Sequence, residues 1–481
     1  MTHVDRVLDA RFRTAVAALG ERPISVCDKG FGVVAPVTAA SLAERRPGLF
    51  SGTFAMPLLV LRDTALRHNV EGMAAYCAAA GVDLAPHGKT TMAPQLFARQ
   101  LAAGAWGMTA ATVGHMQTYR AFGISRILLA NELTDPAGIA WLAAELAADP
   151  GFDCYVYADS LPGVRLLDQA LRSRPGRPLP ILVELGQPGG RTGCRTVEEA
   201  VTVAKAVAAA GSLRLAGAAG FEGTIGHDCT PGTPGTPGTP GTPATPATPA
   251  TIGRIASFCR DLRGLGELLR GLAAGPERLI LSAGGSAYFD VVVRELSPGD
   301  QQPRVVLRSG AYVAHDHGLY ASLAPSGSRE ARGAPAESGQ TQRTPAEPRR
   351  TQDAATGPSP TGRTGPDLVP ALELWAQVLS RPEPGLALLC AGRRDVSFDQ
   401  GFPVPLRVRS ADGRLASAHD MQVTKLDDQH AYLSVPADSE LAPGDLICLG
   451  ISHPCTTFDK WRVIPVVDDR YRVIDAVHTF F

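Results

Sequence analysis

Short apolar runs alternate with longer amphipathic stretches over roughly the first two thirds of the chain. Six runs of strand length lie at residues 82–86, 127–130, 154–158, 181–185, 214–218 and 279–282. Segments rich in Ala and Leu, with apolar positions at helical spacing, separate these runs. Repeated strand–helix units predict a parallel sheet, and about seven or eight of them fit a (β/α)8 barrel. A doubly wound open sheet fits the pattern nearly as well.

The start of the chain has a different texture. Residues 1–55 form a predicted N-terminal extension with one helical pattern, around residues 4–19. The apolar run at residues 57–61 predicts a strand, and we expect it to open the barrel. Asp63 then caps a predicted helix in which Leu66, Val70 and Met73 recur at helical spacing. The barrel is therefore expected to occupy residues 56–322.

After residue 366 the pattern changes to short alternating runs. They lie at residues 371–379, 385–391, 405–409, 421–425, 431–435, 446–449, 461–467 and 472–477. Turn pairs such as Asp412-Gly413 and Pro443-Gly444 separate some of them. Residues 367–481 are therefore predicted to form an antiparallel β domain, and the fold class is a (β/α)8 barrel followed by this domain.

Two segments rich in proline interrupt these patterns. Residues 230–251 are a period-three tract of Thr-Pro-Gly and then Thr-Pro-Ala, which predicts a semi-rigid extended insertion in the barrel. Residues 323–366 are rich in Pro, Ser, Thr, Gly, Arg and Glu, with a single large apolar residue, Leu323. Such a segment buries too little surface to offset its ordering entropy, so we expect a disordered linker.

Composition narrows the classes of function. The 46 basic and 47 acidic side chains nearly cancel, which argues against nucleic acid and against a polybasic membrane anchor. No apolar stretch reaches the length of a membrane span, and residues 1–13 lack the apolar segment of a secretory signal. The nine cysteines form no CxxC pair, so we expect reduced thiols and a cytoplasmic protein.

Lysine is scarce, which draws attention to each one. Only five of the 46 basic residues are lysines, and arginine cannot supply a primary amine for covalent chemistry. Lys89 lies in Pro86-His87-Gly88-Lys89-Thr90, directly after a predicted strand. That position is the active-site end of a barrel, where poor solvation lowers the pKa of an amine. An ordinary solvent-exposed lysine just past a strand end also explains this pattern.

Two glycine-containing segments also follow predicted strands. In Ser282-Ala283-Gly284-Gly285-Ser286, the glycines permit close approach of a phosphate to the backbone, and Ser286 adds a hydroxyl. In Gly190-Arg191-Thr192-Gly193, Arg191 is a candidate ligand for a carboxylate or a phenolate oxygen. Each segment, taken by itself, is also compatible with an ordinary turn.

The β domain carries a candidate metal pair in Ser452-His453-Pro454-Cys455. His453 and Cys455 are two positions apart, so in an extended segment they project to one side. Imidazole with thiolate suits zinc. Structural zinc sites use four protein ligands. A pair of ligands therefore predicts an open site that is completed by water, substrate or other residues.

Together and in this order, the motifs resemble the D-serine dehydratase and D-threonine aldolase family, relatives of alanine racemase with the type III pyridoxal phosphate fold. The segments at residues 128–133 and 392–399 look like a bacterial amino acid deaminase branch. The resemblance covers roughly residues 56–322 and 367–481. It departs from the family pattern at Thr91 and Met92, where His and Lys are frequent.

The resemblance implies a role for each candidate residue. Lys89 binds pyridoxal 5′-phosphate covalently and is the catalytic base. Gly284, Gly285 and Ser286 hold the phosphate, and Arg191 lies near the cofactor ring or the substrate carboxylate. His453 and Cys455 bind a divalent metal, with zinc expected. Members commonly form homodimers, and their substrates are small D-amino acids.

Several activities remain open at this point. The family chemistry allows loss of the β-hydroxyl, which converts D-serine to pyruvate and ammonia, and the deaminase-like segments favour this route. It equally allows retro-aldol cleavage to glycine and an aldehyde, as in D-threonine aldolase. An amino-acid racemase and a non-catalytic pyridoxal phosphate-binding protein are further alternatives, against which the His-x-Cys pair and the extra β domain argue.

Overall fold

A computed structural model describes residues 10–32, 35–174, 176–225, 247–273, 278–297, 303–325 and 363–481. Most of the Thr-Pro tract at 230–251 and most of the predicted linker at 323–366 lie outside these ranges. No helix within them has both the length and the apolar character needed to cross a membrane.

Eight parallel strands form the first sheet, and their order in space follows their order in the chain. They are Asp83–Leu84, Met108–Ala110, Arg126–Glu132, Asp153–Ala158, Leu179–Leu185, Leu213–Gly220, Ile280–Ala283 and Arg304–Leu307. The last strand pairs with the first. The first and second strands meet through the amide of Trp106, which donates to the carbonyl of Leu84 at 2.7 Å. The sheet is therefore closed, so the barrel prediction is confirmed and the open sheet is wrong.

Helices cover the outside of the barrel. Seven connect successive strands: Pro94–Ala102, Val113–Ala121, Pro136–Ala148, Leu161–Leu171, Val197–Ala209, Pro249–Leu269 and Phe289–Leu296. An eighth, Asp63–Ala80, precedes the first strand. Side chains at several N-caps, namely Thr112, Asp135, Ser160, Thr196 and Thr248, accept from a backbone amide three residues on. Capping directly after a loop fixes where each of these helices begins.

The barrel interior is a packed core. Trp106, Leu128, Tyr157 and Leu182 are among the buried side chains that meet inside it. A second, larger apolar layer lies between the strands and the helices and continues into the C-terminal domain. Gly217 has a φ of 146°, and a Cβ there would overlap the carbonyl oxygen of Ile280 on the next strand. Glycine therefore permits these two strands to pair.

The second sheet has ten strands and is built mainly from the C-terminal part of the chain. Its strands are Leu58–Arg62, Leu372–Glu383, Leu386–Leu389, Val404–Arg409, Leu415–Ser417, Gln422–Leu426, Ala431–Ser434, Leu446–Gly450, Val463–Val467 and Val473–His478. All but one of their pairings are antiparallel. All eight strands expected after residue 366 are present, and Leu415–Ser417 is an addition.

The strand Leu58–Arg62 corrects one prediction. It does not open the barrel: it pairs antiparallel with Leu372–Glu383 and parallel with Val463–Val467 in the second sheet. Its residues 58–61 are buried. A run that is apolar at every position lacks the alternation that would show which sheet it joins.

The N-terminal extension packs against both parts of the molecule. It contains the helices Ala10–Ala18 and Ala39–Arg45, the short turn Leu19–Glu21 and a small hairpin of Pro23–Ile24 and Val37–Thr38. The helix falls within the predicted 4–19 pattern. Lys29 of this extension donates to Asp395 at 2.9 Å, which joins it to the C-terminal domain.

Both ends of the predicted linker are anchored on the barrel. Leu323 closes the short helix Leu319–Leu323. Arg363 is buried, and its Nε donates to Asp290 at 2.9 Å. Since Asp290 belongs to the helix that follows the 282–286 segment, the linker leaves and rejoins the fold beside that segment.

Candidate active site

Lys89 lies on a single helical turn, Gly88–Thr90, immediately beyond the first barrel strand. The amide of His87 donates to the carbonyl of Arg308 at 3.1 Å, which ties the turn to the last strand. A Cβ at Gly88 would overlap the hydroxyl of Tyr119, so glycine permits the turn to sit close to the barrel wall. The side chain of Lys89 lines a cavity at the carboxyl ends of the strands, the position predicted from the sequence.

The Ser282–Ser286 segment lies in the same region, and its two glycine amides are engaged by a carboxylate. Gly284 has a φ of 89°, which glycine adopts without strain. Its amide and that of Gly285 donate to the carboxylate of Glu222, at 3.1 and 2.6 Å. Glu222 is fully buried. Gly285 lines the cavity, whereas Gly284 lies behind the lining residues.

Ser286 remains available to a ligand. Its Oγ accepts from the amides of Gly310 and Ala311 at 3.2 and 3.1 Å. A hydroxyl that accepts two bonds still has a proton to donate. Ser286 also lines the cavity.

Arg191 lies on the cavity wall, stacked on an aromatic ring. Its guanidinium carbon is 4.7 Å from the ring centroid of Phe221. The loop is held by Arg195, whose guanidinium donates to the carbonyls of Thr192 and Gly193 at 3.1 and 3.0 Å. Arg191 itself lines the cavity, and its predicted role as a ligand for a carboxylate or a phenolate oxygen stays a prediction.

His453 and Cys455 reach the same cavity from the C-terminal domain. The segment between them is not extended, because Pro454 has helical dihedral angles and Cys455 begins a helical turn, Cys455–Phe458. The predicted geometry is thus wrong, although both side chains do line one cavity. The Sγ of Cys455 is 3.5 Å from the Oγ1 of Thr90, next to Lys89. The amine and the His/Cys pair therefore meet across the two domains.

The electrostatics of the pair favour a charged state. Burial lowers the pKa of His453, but its bonds to Asp399 and Cys455 outweigh this and raise the pKa to about 10. Burial raises the pKa of Cys455, yet the bond to His453 and its charge bring it below the ordinary value. The two shifts run in opposite directions because each side chain is the other's partner. Across the described ranges, no group of three His, Cys, Asp or Glu side chains is arranged around a common metal position.

The cavity has a volume of about 690 Å³. It brings together Lys89, Arg191, Gly285, Ser286, His453 and Cys455. It also contains residues that sequence reasoning missed, notably Glu222, Tyr320 and Arg308. None of the three lies in a motif with recognisable spacing. Each reaches the cavity only because the fold brings distant parts of the chain together.

Glu132 ends the barrel strand Arg126–Glu132, next to the cavity-lining residue Asn131. Burial, together with the charge and hydrogen bond of Glu184, raises the pKa of Glu132 to about 8. Glu184 is buried and lines the cavity.

Replacing Glu132 with Gln should change the pH dependence of stability. The pKa of Glu132 in the folded protein is about 8, above its ordinary value of 4.5. The folded state therefore holds this proton more tightly, and the free energy of unfolding falls as pH rises from about 4.5 to 8. We expect the Tm of Glu132→Gln to decline less than that of the unmodified protein between pH 5 and 9. Exposed Glu71, replaced by Gln, is the control, and equal slopes for Glu132→Gln and the unmodified protein would contradict the assignment.

Two family models match the chain. The alanine racemase N-terminal domain matches residues 62–288, and the putative serine dehydratase domain matches residues 371–467. The barrel part of the chain is thus similar to the first family, and the C-terminal part is similar to the second. The resemblance to the D-serine dehydratase and D-threonine aldolase family is confirmed, and the amino acid deaminase branch stays a prediction.

Curated relatives are similar over part of the chain. A 3-hydroxy-D-aspartate aldolase of Paracoccus denitrificans (strain Pd 1222) is 30% identical over 160 residues, which are 33% of this chain and 41% of the relative. A D-threonine aldolase of Arthrobacter sp is 31% identical over 148 residues, 31% of this chain and 38% of the relative. The match thus spans about two fifths of either relative.

Solved structures share the whole fold. D-threonine aldolase from Filomicrobium marinum has a TM-score of 0.64 at 22% identity, covering 89% of this chain and 95% of that one. D-threo-3-hydroxyaspartate dehydratase from Delftia sp. HT23 has a TM-score of 0.62 at 19% identity, covering 89% and 98%. Structures of this dehydratase include a histidine mutant and a cysteine mutant in the metal-free form, at positions two apart in that protein.

Proposed function

We propose that the protein is a lyase for D-β-hydroxy amino acids that depends on pyridoxal 5′-phosphate and a divalent metal, with D-serine dehydration as the leading activity. The observation that carries the proposal is the meeting of Lys89 with His453 and Cys455 in one cavity. The Thr90–Cys455 contact at 3.5 Å joins their two loops. The cofactor site and the metal pair face the same space. This arrangement suits a substrate whose α-carbon reacts at the cofactor while its β-hydroxyl binds the metal.

Unpartnered polar atoms in the cavity fit the cofactor. The Nδ1 of His87 and the Nε of Arg308 are buried without a hydrogen-bond partner among the described residues. Arg308 is 3% exposed, and its other nitrogens donate to the Ser282 hydroxyl and the Gly220 carbonyl. Among the residues that the structure describes, no carboxylate forms an ion pair with Arg308. A buried guanidinium in this state favours an electron-rich ligand. The ring and phosphate of pyridoxal phosphate offer such atoms, and when bound the cofactor acts as an electron sink for the substrate's α-carbon.

The chain's own residues have separable tasks. Lys89 supplies the amine that holds the cofactor, and the same nitrogen is the candidate base for the α-proton. Ser286 offers a hydroxyl to the phosphate, and Gly285 leaves room beside it. Gly284 shapes the turn from behind, with both glycine amides held by Glu222. Arg191 offers a cation to the substrate carboxylate or the cofactor ring.

His453 and Cys455 supply the donor set of a zinc site. Imidazole nitrogen and thiolate sulfur are ordinary zinc ligands, and two protein ligands leave positions open for the substrate. A metal there would polarise a bound hydroxyl and make it a better leaving group. The names of two dehydratase structures support this assignment: they are mutants of a histidine and of a cysteine at the same spacing, and the second is described in a metal-free form.

Product identification tests the proposed reaction. Purified protein loaded with pyridoxal phosphate and zinc is given D-serine and D-threonine, with the L-isomers as controls. We expect pyruvate and ammonia from D-serine and no product from the L-isomers. Racemisation without ammonia, or bound cofactor with no turnover of any isomer, would contradict the proposal.

Retro-aldol cleavage is the second candidate, favoured by the aldolase names of both curated relatives. The same assay separates it from dehydration. Glycine and acetaldehyde from D-threonine, with no keto acid from either substrate, would establish the aldolase route.

A further inference from the structure

We propose that Asp399 is the positioning residue of the metal pair and fixes His453 so that its Nε2 is the metal ligand. The inference rests on the proposed function. The Oδ2 of Asp399 lies 2.7 Å from the Nδ1 of His453. Its Oδ1 accepts from the hydroxyl of Thr456 at 2.6 Å. Both carboxylate oxygens are therefore engaged, one with the histidine and one with a residue beside the cysteine.

The contact belongs to a set of bonds that join two segments. The amide of His453 donates to the Oγ of Ser397 at 3.1 Å. The Oγ of Ser452 donates to the carbonyl of Gly401 at 2.7 Å. The amide of Ser397 donates to the Oγ1 of Thr457 at 3.1 Å. Hydrogen bonds at Ser397 and Gly401, on either side of Asp399, therefore hold this segment against the one that carries His453.

The carboxylate decides which ring nitrogen can bind a metal. An Nδ1–H that donates to Asp399 leaves the Nε2 lone pair free. Such a second partner orients the ring and increases the basicity of the ligand nitrogen. This assignment gives the 392–399 segment a function in the proposed reaction, namely the positioning of a metal ligand by Asp399.

Zinc affinity of the cofactor-loaded protein tests the inference. Zn²⁺ is titrated in competition with a chromophoric chelator against the unmodified protein, Asp399→Ala and Asp399→Asn. We expect a 10–100-fold weaker affinity for Asp399→Ala and an intermediate loss for Asp399→Asn. Thr456→Val keeps the carboxylate but removes its second bond, so a smaller loss is expected. Asp420→Asn is the control, because this exposed carboxylate contacts only His419 among the described residues.

The outcomes separate the inference from the proposed function. A purely structural role would lower Tm while leaving the zinc affinity of the folded protein unchanged, and that result would overturn the inference alone. Absence of zinc binding by the unmodified protein would overturn the inference and the metal part of the proposed function together. Weakened zinc binding with unchanged pyridoxal phosphate content supports both.

Discussion

Lys89→Ala is expected to lose covalently bound pyridoxal phosphate and at least about 10³-fold of turnover, because general-base catalysis alone contributes roughly 10²–10⁴-fold. No other lysine lines the cavity within the described residues. Lys29 is bound to Asp395 at 2.9 Å, and Lys425 lies 3.2 Å from Asp427. Neither can replace the missing amine. Cofactor stoichiometry and the absorbance of the bound cofactor measure the first loss, and product formation measures the second.

Lys205→Ala is the matched control for this experiment. Lys205 is exposed on the helix Val197–Ala209, outside the cavity. It should retain full cofactor content and turnover. Unchanged cofactor attachment in Lys89→Ala would refute the assigned role of Lys89.

Cys455→Ala should separate the metal from the cofactor. Removing the thiolate leaves His453 as the remaining member of the pair, so zinc content should fall while pyridoxal phosphate content is retained. Turnover should fall by at least about a hundredfold, since a Lewis acid supplies several kcal/mol to such a step. Metal analysis after gel filtration, with cofactor content measured on the same sample, checks both parts.

Cys27→Ala is the control for Cys455→Ala, because Cys27 is an exposed thiol remote from the cavity lining. It should retain zinc, cofactor and turnover. Full activity of Cys455→Ala after complete removal of zinc would contradict a catalytic metal.

The periodicity of the sequence predicts most of the fold because strands and helices leave local signals. Two barrel strands, Met108–Ala110 and Arg304–Leu307, escaped this reasoning. They span only three and four residues and carry no periodicity. The equally short strands Asp83–Leu84 and Ile280–Ala283 were predicted from apolar runs instead. The strand Leu58–Arg62 was recognised as a strand, but its partner Leu372–Glu383 lies more than three hundred positions further along the chain. Sheet membership at that separation is decided by packing.

The residues of the candidate site also divide into those that the sequence predicts and those that it does not. Lys89, Arg191, Ser286, His453 and Cys455 were found because each stands in a short motif after a strand. These residues line one cavity, which supports the interpretation that the motifs belong to a single site. The pairing of Glu222 with the two glycine amides was missed, since about sixty residues separate them. The expectation that Gly284, Gly285 and Ser286 hold a phosphate stays a prediction, and Glu222 is an additional partner of the two glycine amides.

Other expectations stay predictions. They are the roles of the site residues, D-serine dehydration, the homodimer, the cytoplasmic location, the identity of the metal as zinc, and the division of the chain at residues 322 and 367. The extended tract at 230–251 and the disorder of 323–366 concern residues that lie mostly outside the described ranges.

The attachment point of the cofactor tests the central claim most directly. The protein loaded with pyridoxal phosphate is reduced with borohydride, which converts the link between amine and cofactor into a stable bond, and is then digested for mass spectrometry. The account predicts one modified peptide, with the cofactor on Lys89. Modification of Lys29, Lys205, Lys425 or Lys460 in its place, or no modification at all, would contradict it.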